Sequence, residues 1–221
     1  RQLITDFPSS SLVPRAYMQT GLVYYNTDKN QQAMDVLKKV VETYPRSQES
    51  KEALALLKNV YLDMNQVDEY FAYLKEKDSK ADIRITEQDS LSYTTAVKVY
   101  MTADYEKASG LFEKYITQYK EQGIFYVNAS YYMAECLKKL DKKDKAIAYF
   151  ENVVKKPQSE FTEPSLVQLA DWNYRNQQYE KAIEYYNRLD QTAQYDNNKI
   201  LAKTGKMRSY AKSNNLPEAR K

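Results

Sequence analysis

The 221-residue chain contains no histidine, and each of its other scarcities removes a further class of chemistry. Without imidazole there is no His-dependent catalytic triad and no zinc site made of two His one helical turn apart. The single cysteine, Cys136, cannot close an internal disulfide and rules out a Cys-rich structural zinc site. Four glycines and six prolines supply few tight turns, which argues against a sandwich or barrel of short strands. Gly21, Gly110, Gly123 and Gly205 are also too scattered for a Walker loop or a dinucleotide fingerprint, where clustered Gly lets the backbone approach phosphate. Charge of one sign is lacking too: 33 Lys and Arg face 30 Asp and Glu, so nothing points to a polyanionic partner. No run approaches the ~18 apolar residues of a membrane span. The chain opens Arg1-Gln2-Leu3-Ile4-Thr5-Asp6, with neither an initiator Met nor an apolar leader, and reads as a fragment whose parent continues in both directions.

What is abundant is tyrosine, 22 residues against six Phe and one Trp, and self-similarity. Tyr44-Pro45-Arg46-Ser47 echoes Phe7-Pro8-Ser9-Ser10. A column preceded by turn residues and followed by an apolar stripe holds Ala33, Tyr70, Ala108, Ala146, Ala182 and Ala219, at steps of 37, 38, 38, 36 and 37. Twelve residues earlier stand Gly21, Lys58, Ala96, Ala134, Ala170 and Met207. Small residues facing each other across two antiparallel helices allow close approach, the packing logic of a helix-turn-helix repeat. Lys58 and Tyr70 break this rule, so the second pair is expected to splay. The register places first helices near 13–26, 49–63, 89–102, 125–139, 163–175 and 198–212. Second helices fall near 30–43, 67–77, 105–119, 143–155, 179–191 and from 217 onward. Residues 78–88 lack helical periodicity and are expected to form a loop ending at an Asp89 or Ser90 cap.

On these residues the chain resembles the tetratricopeptide repeat family, with Tyr17, Gly21, Tyr24, Ala33, Leu37 and Pro45 falling on that family's aromatic, Gly, Tyr, Ala, aromatic and Pro positions. The resemblance implies an all-α, right-handed superhelical solenoid of about five full repeats, near 14–47, 51–84, 89–122, 127–160 and 163–196, with partial repeats at both ends, the last near 200–221. The whole chain, 1–221, would form one array. Blocks such as Tyr44-Pro45-Arg46-Ser47 and Asp89-Ser90-Leu91-Ser92-Tyr93 are similar to large Bacteroidetes repeat proteins and to outer-membrane assembly and Tol-Pal-associated repeat proteins, which implies a periplasmic or cell-envelope parent.

The same resemblance places first-helix residues on a concave groove, and in this chain those columns include Met18, Tyr25, Asn59, Tyr93, Tyr100, Tyr131, Tyr174, Arg175 and Arg208. An aromatic surface with polar groups interspersed suits an extended peptide or a partner helix. The expected function is therefore a non-enzymatic protein-interaction scaffold, with no cofactor, no metal, no nucleic acid and no small-molecule substrate. A cytosolic chaperone adaptor and a structural spacer are the alternatives. Against the adaptor, the family's carboxylate clamp is not matched, because Met18, Leu22, Ala55, Asn59, Tyr93 and Val97 occupy its columns. Acidic pairs such as Asp68-Glu69 sit in first turns, where carboxylates favour the helix dipole. Cys136 shares its column with Val23, Val60 and Trp172 and reads as a packing residue. Lys138, Lys139, Lys142, Lys143 and Lys145 form a dense basic turn that reads as solvated surface.

Overall fold

A computed structural model describes residues 2–77 and 84–219, and among them the chain forms thirteen α-helices and no strand. In chain order they are α1 Gln2–Asp6, α2 Val13–Asn26, α3 Asn30–Thr43, α4 Gln48–Asp63, α5 Val67–Lys77, α6 Ile85–Met101, α7 Tyr105–Tyr119, α8 Tyr126–Lys139, α9 Lys143–Val154, α10 Thr162–Arg175, α11 Tyr179–Thr192, α12 Asp196–Lys212 and α13 Leu216–Ala219. Second helices follow first helices as the register requires. The helices gather into two compact units, residues 1–95 and 96–221, with the division inside α6.

The repeat is written most plainly in the backbone. Asp28, Asn65, Ala103, Asp141, Gln177 and Asn214 all have φ between 57° and 61°, at steps of 37, 38, 38, 36 and 37, the spacing of the small-residue column. Each lies in the turn between the two helices of a repeat. In five of these turns the residue just after it donates its N–H to the carbonyl five positions back: Lys29 to Tyr24, Gln66 to Tyr61, Lys142 to Leu137, Gln178 to Asn173 and Asn215 to Tyr210, at 2.8 to 2.9 Å. One left-handed residue satisfies the carbonyls orphaned at the end of the first helix and releases the chain directly into the second. Asp and Asn tolerate this region because their short polar side chains bond locally, and they fill four of the six turns, Ala103 and Gln177 the other two.

Packing follows the columns. In the first unit Ala33, Leu37, Val40, Ala53, Leu57 and Val60 are wholly buried at the centre of one apolar cluster, flanked by Tyr61, Tyr70, Phe71 and Tyr73. Gly21 lies against Leu37, where an added Cβ would stand 2.6 Å from Leu37 Cδ2. In the second unit Ala96, Ala108, Ala134, Ala146, Ala170 and Ala182 are all buried, and Phe112, Phe150, Leu169 and Leu189 fill the space between helices. Phe112 on α7 stacks on Tyr132 of α8 at 5.8 Å and 12° between planes. The corresponding contact between α11 and α12 pairs Tyr186 with Gly205, whose missing Cβ leaves room for the ring. Large on large, or large on nothing, fills the same seam.

Two expectations need correction. The loop over 78–88 fails at its end: residues 78–83 lie outside the described residues, but α6 begins at Ile85, and Asp89 lies inside the helix, only 3% exposed, rather than capping it. The early start is held from a distance, by Lys58 Nζ at 2.8 Å from Glu87 Oε1 and by Gln88 donating to Asp68 Oδ1 at 3.2 Å. The column of Cys136 is not uniformly packed either, since Val23 is 59% exposed while Val60 and Cys136 are fully covered. The expected splay of the second pair is consistent with the structure: α4 and α5 meet far more sparingly than α2 with α3 or α3 with α4.

Candidate protein-binding face

The nine residues placed on the groove by sequence divide by burial. Met18 is 7% exposed inside the first unit's core, so it packs between helices and is not open to a partner. Tyr25 is half-buried and donates its hydroxyl to Asp63 Oδ2 at 2.7 Å; that bond, with burial, raises its pKa. Asn59 is exposed on α4 and Tyr93 half-buried on α6.

In the second unit Tyr100 lies 5.0 Å from the ring of Tyr132 and 5.5 Å from that of Tyr105. Tyr131 lies 4.8 Å from Phe161 and 6.0 Å from Phe150. Burial, with Glu135's charge beside it, pushes each of these two phenols up to about 12. Both rings therefore belong in large part to the seams between helices and offer a partner one edge only. Tyr174 packs on the Ala170, Ala182 and Tyr186 cluster and meets Tyr179 at 5.7 Å. Arg175 and Arg208 are exposed, the first paired with Asp171 on its own helix at 2.9 Å.

Two open concavities of the second unit lie along α10, while others lie between α11, α12 and α13 and between α7, α8 and α9. Near the N-terminus of α10 is a cleft of about 430 Å³ whose walls carry the amides of Gln158, Gln168, Gln194 and Asn198, with Val167 and Tyr195 supplying apolar area. Tyr195 is 69% exposed. The wall is braced from beneath by Glu163, 7% exposed, whose carboxylate accepts from the Gln194 backbone N–H and, at 2.6 Å, from Asn198 Nδ2. Both carboxylate oxygens are thereby occupied, and the charge is held in place as part of the scaffold. Further along α10 a second cleft of about 250 Å³ begins, and Gln168 lines both. Side-chain amides that can both donate and accept match an extended peptide backbone, which presents both kinds of group. The sequence did not mark this cleft because half of its lining comes from connecting segments, where no periodicity singles out a residue.

The Cys136 thiol is buried and pushed up to about 12, so it is a packing group with negligible thiolate character at neutral pH. Lys138, Lys142 and Lys143 of the basic turn are paired with Glu135, Glu106 and Asp141 at 2.7, 3.5 and 3.1 Å. Among the described residues no group of three His, Cys, Asp or Glu is placed to hold a metal ion, and no helix is long and apolar enough to cross a membrane.

Comparison with known proteins agrees with the repeat geometry. Residues 15–47, 128–159 and 165–192 match the sequence profile of the tetratricopeptide repeat. No curated protein matches the chain. Among solved structures, PilF of Pseudomonas aeruginosa is similar at 19% identity, with 94% of this chain and 87% of that one covered and a TM-score of 0.47. PilW, described as a type IV pilus biogenesis factor, is similar at 15% identity over 96% of this chain and 90% of that one, with a TM-score of 0.41. A tetratricopeptide repeat protein of Parabacteroides merdae is similar at 13% identity, over 94% and 76% of the two chains, with a TM-score of 0.40.

Proposed function

We propose that this chain of tetratricopeptide repeats is a non-enzymatic scaffold of a cell-envelope protein, and that its second unit holds an extended segment of a partner protein along α10. Protein–protein interaction is the coarse function that the repeats support. The observation that carries the finer reading is the amide-walled cleft with Tyr195 standing exposed beside it. At about 430 Å³ it is open enough for a stretch of backbone, and Glu163 already holds the Asn198 amide and the Gln194 backbone in place, which lowers the ordering cost on the receptor. Half-buried Tyr174 on α10 and Tyr131 on α8 retain part of the Tyr-lined character read from sequence. The envelope assignment is supported by the Tyr44-Pro45-Arg46-Ser47 block and its resemblance to envelope repeat proteins.

The test is a photocrosslinking amino acid, p-benzoylphenylalanine, placed at Tyr195 in cells producing the parent protein, with Glu180, exposed on α11, as the control position. A covalent adduct to another protein, formed from Tyr195 but not from Glu180 and recovered in the envelope fraction, is the expected result. Adducts of equal yield at both positions, or none at either, would overturn the binding face. Recovery in the cytosolic fraction would overturn the compartment.

A further inference from the structure

We propose that the cleft continuing along α10 past Gln168 is a side-chain pocket for an acidic peptide, one apolar residue of which seats between Phe150 and Trp172 while its flanking carboxylates meet Lys143 and Arg175. The inference rests on the peptide-binding reading of α10 and names the chemistry of the bound segment. The floor is apolar: Ile147 and Phe150 from α9 and Trp172 from α10, with Trp172 only half-buried. Three cations stand around it, Lys138 at the end of α8, Lys143 at the start of α9 and Arg175 at the end of α10, against one anion, Asp171. Lys138 is already held by Glu135 at 2.7 Å, so the cations open to a ligand are Lys143 and Arg175.

Size decides the kind of ligand. Pockets for drug-sized molecules run ~300–1,000 Å³. This one, at about 250 Å³, takes a single side chain of a longer ligand.

The existing ion pairs do not close the site. Lys143 is 63% exposed and its partner Asp141 is 87% exposed; Arg175 is 75% exposed and Asp171 51%. Exposed pairs of this kind contribute ~0–1 kcal/mol, so exchanging one carboxylate for another costs little. Lys143 and Arg175, both exposed at this cleft, attract an acidic segment and raise its association rate at low salt.

Trp172 is the chain's only tryptophan, so its emission reports on this cleft alone. The experiment titrates the chain with a blocked Glu-Glu-Leu-Glu-Glu peptide, which has no fluorescence of its own, and repeats the titration with the Leu replaced by Ala and with a Lys-Lys-Leu-Lys-Lys peptide. The expected result is a saturable change in emission with the acidic Leu peptide, weakened at least tenfold by the Ala replacement, by 0.5 M salt and by Lys143→Glu with Arg175→Glu, and no change with the basic peptide. All these charged positions are exposed, and circular dichroism verifies that the double variant keeps its helices. An unchanged emission, equal response to both peptides, or indifference to the double charge reversal would overturn the proposal. So would sedimentation showing that the cleft is covered by a second copy of the chain. Where Tyr195 still crosslinks a partner but the acidic peptide fails, the assignment of an acidic ligand fails alone; where both fail, the α10 face fails with it.

Discussion

Two helix pairs built to one plan differ in how closely they meet. In α8 and α9 the facing column residues are Ala134 and Ala146, both buried, and the helices lie against each other along their length. In α4 and α5 the same columns hold Lys58 and Tyr70, and contact is sparse although α5 and α9 are nearly equal in length, 11 and 12 residues. Lys58 turns outward to Glu87, and Tyr70 fills the gap by meeting Tyr61 at 5.8 Å and Phe71 at 5.3 Å. The extent of contact thus follows the residue that stands in the column, and a large residue there is tolerated where neighbouring rings build a secondary cluster around it.

Breaking that comparison from its two sides should give the largest effects. Tyr70→Ala removes a ring that is 8% exposed and leaves a cavity the separated helices cannot close; a loss of about 3 kcal/mol is expected, read as a fall in the urea midpoint by circular dichroism. Ala134→Leu forces bulk into the closely packed pair and should cost ~1–3 kcal/mol by overpacking. A Tyr70→Ala midpoint equal to that of the unaltered chain would mean the ring does not hold α4 and α5 apart. The turns offer a smaller effect of opposite sign. Ala103 has φ 61° with no side chain to bond locally, so Ala103→Gly should stabilise by about 0.5–1 kcal/mol, the left-handed penalty less the entropy glycine adds to the unfolded chain. The same change at Asp28, where the side chain already suits the turn, serves as the comparison and should gain less. Smallest is Lys58→Ala. Its ion pair with Glu87 is 31% and 47% exposed, so a change under ~0.5 kcal/mol is expected, and a loss like that of Tyr70→Ala would show that Lys58 is a packing residue after all.

The candidate site was only partly legible in the sequence. Columns identified which face of a first helix each tyrosine occupies, but not how much of the ring a neighbour would cover. Tyr100 and Tyr131 were covered because Tyr105, Tyr132, Phe150 and Phe161 arrive from adjoining helices and turns. Met18 was covered by the first unit's core. The amide cleft went unseen because Gln158 and Gln194 lie outside the helices, while Trp172 was placed only as a column neighbour of Cys136, without the cations that surround it.

The sequence by itself determined the helices, their pairing and the repeat step, because all three follow from short-range chemistry: apolar spacing along a helix, a small residue in a column, and an Asp or Asn able to hold φ near 60° at the turn. Tertiary structure decided which aromatic edges stay open, where α6 begins, and that Gln168 joins two clefts along α10. Those depend on side chains about 30 or more residues apart in the chain, such as Lys58 with Glu87 and Glu163 with Asn198, whose meeting is a property of the stacked helices and of no local stretch.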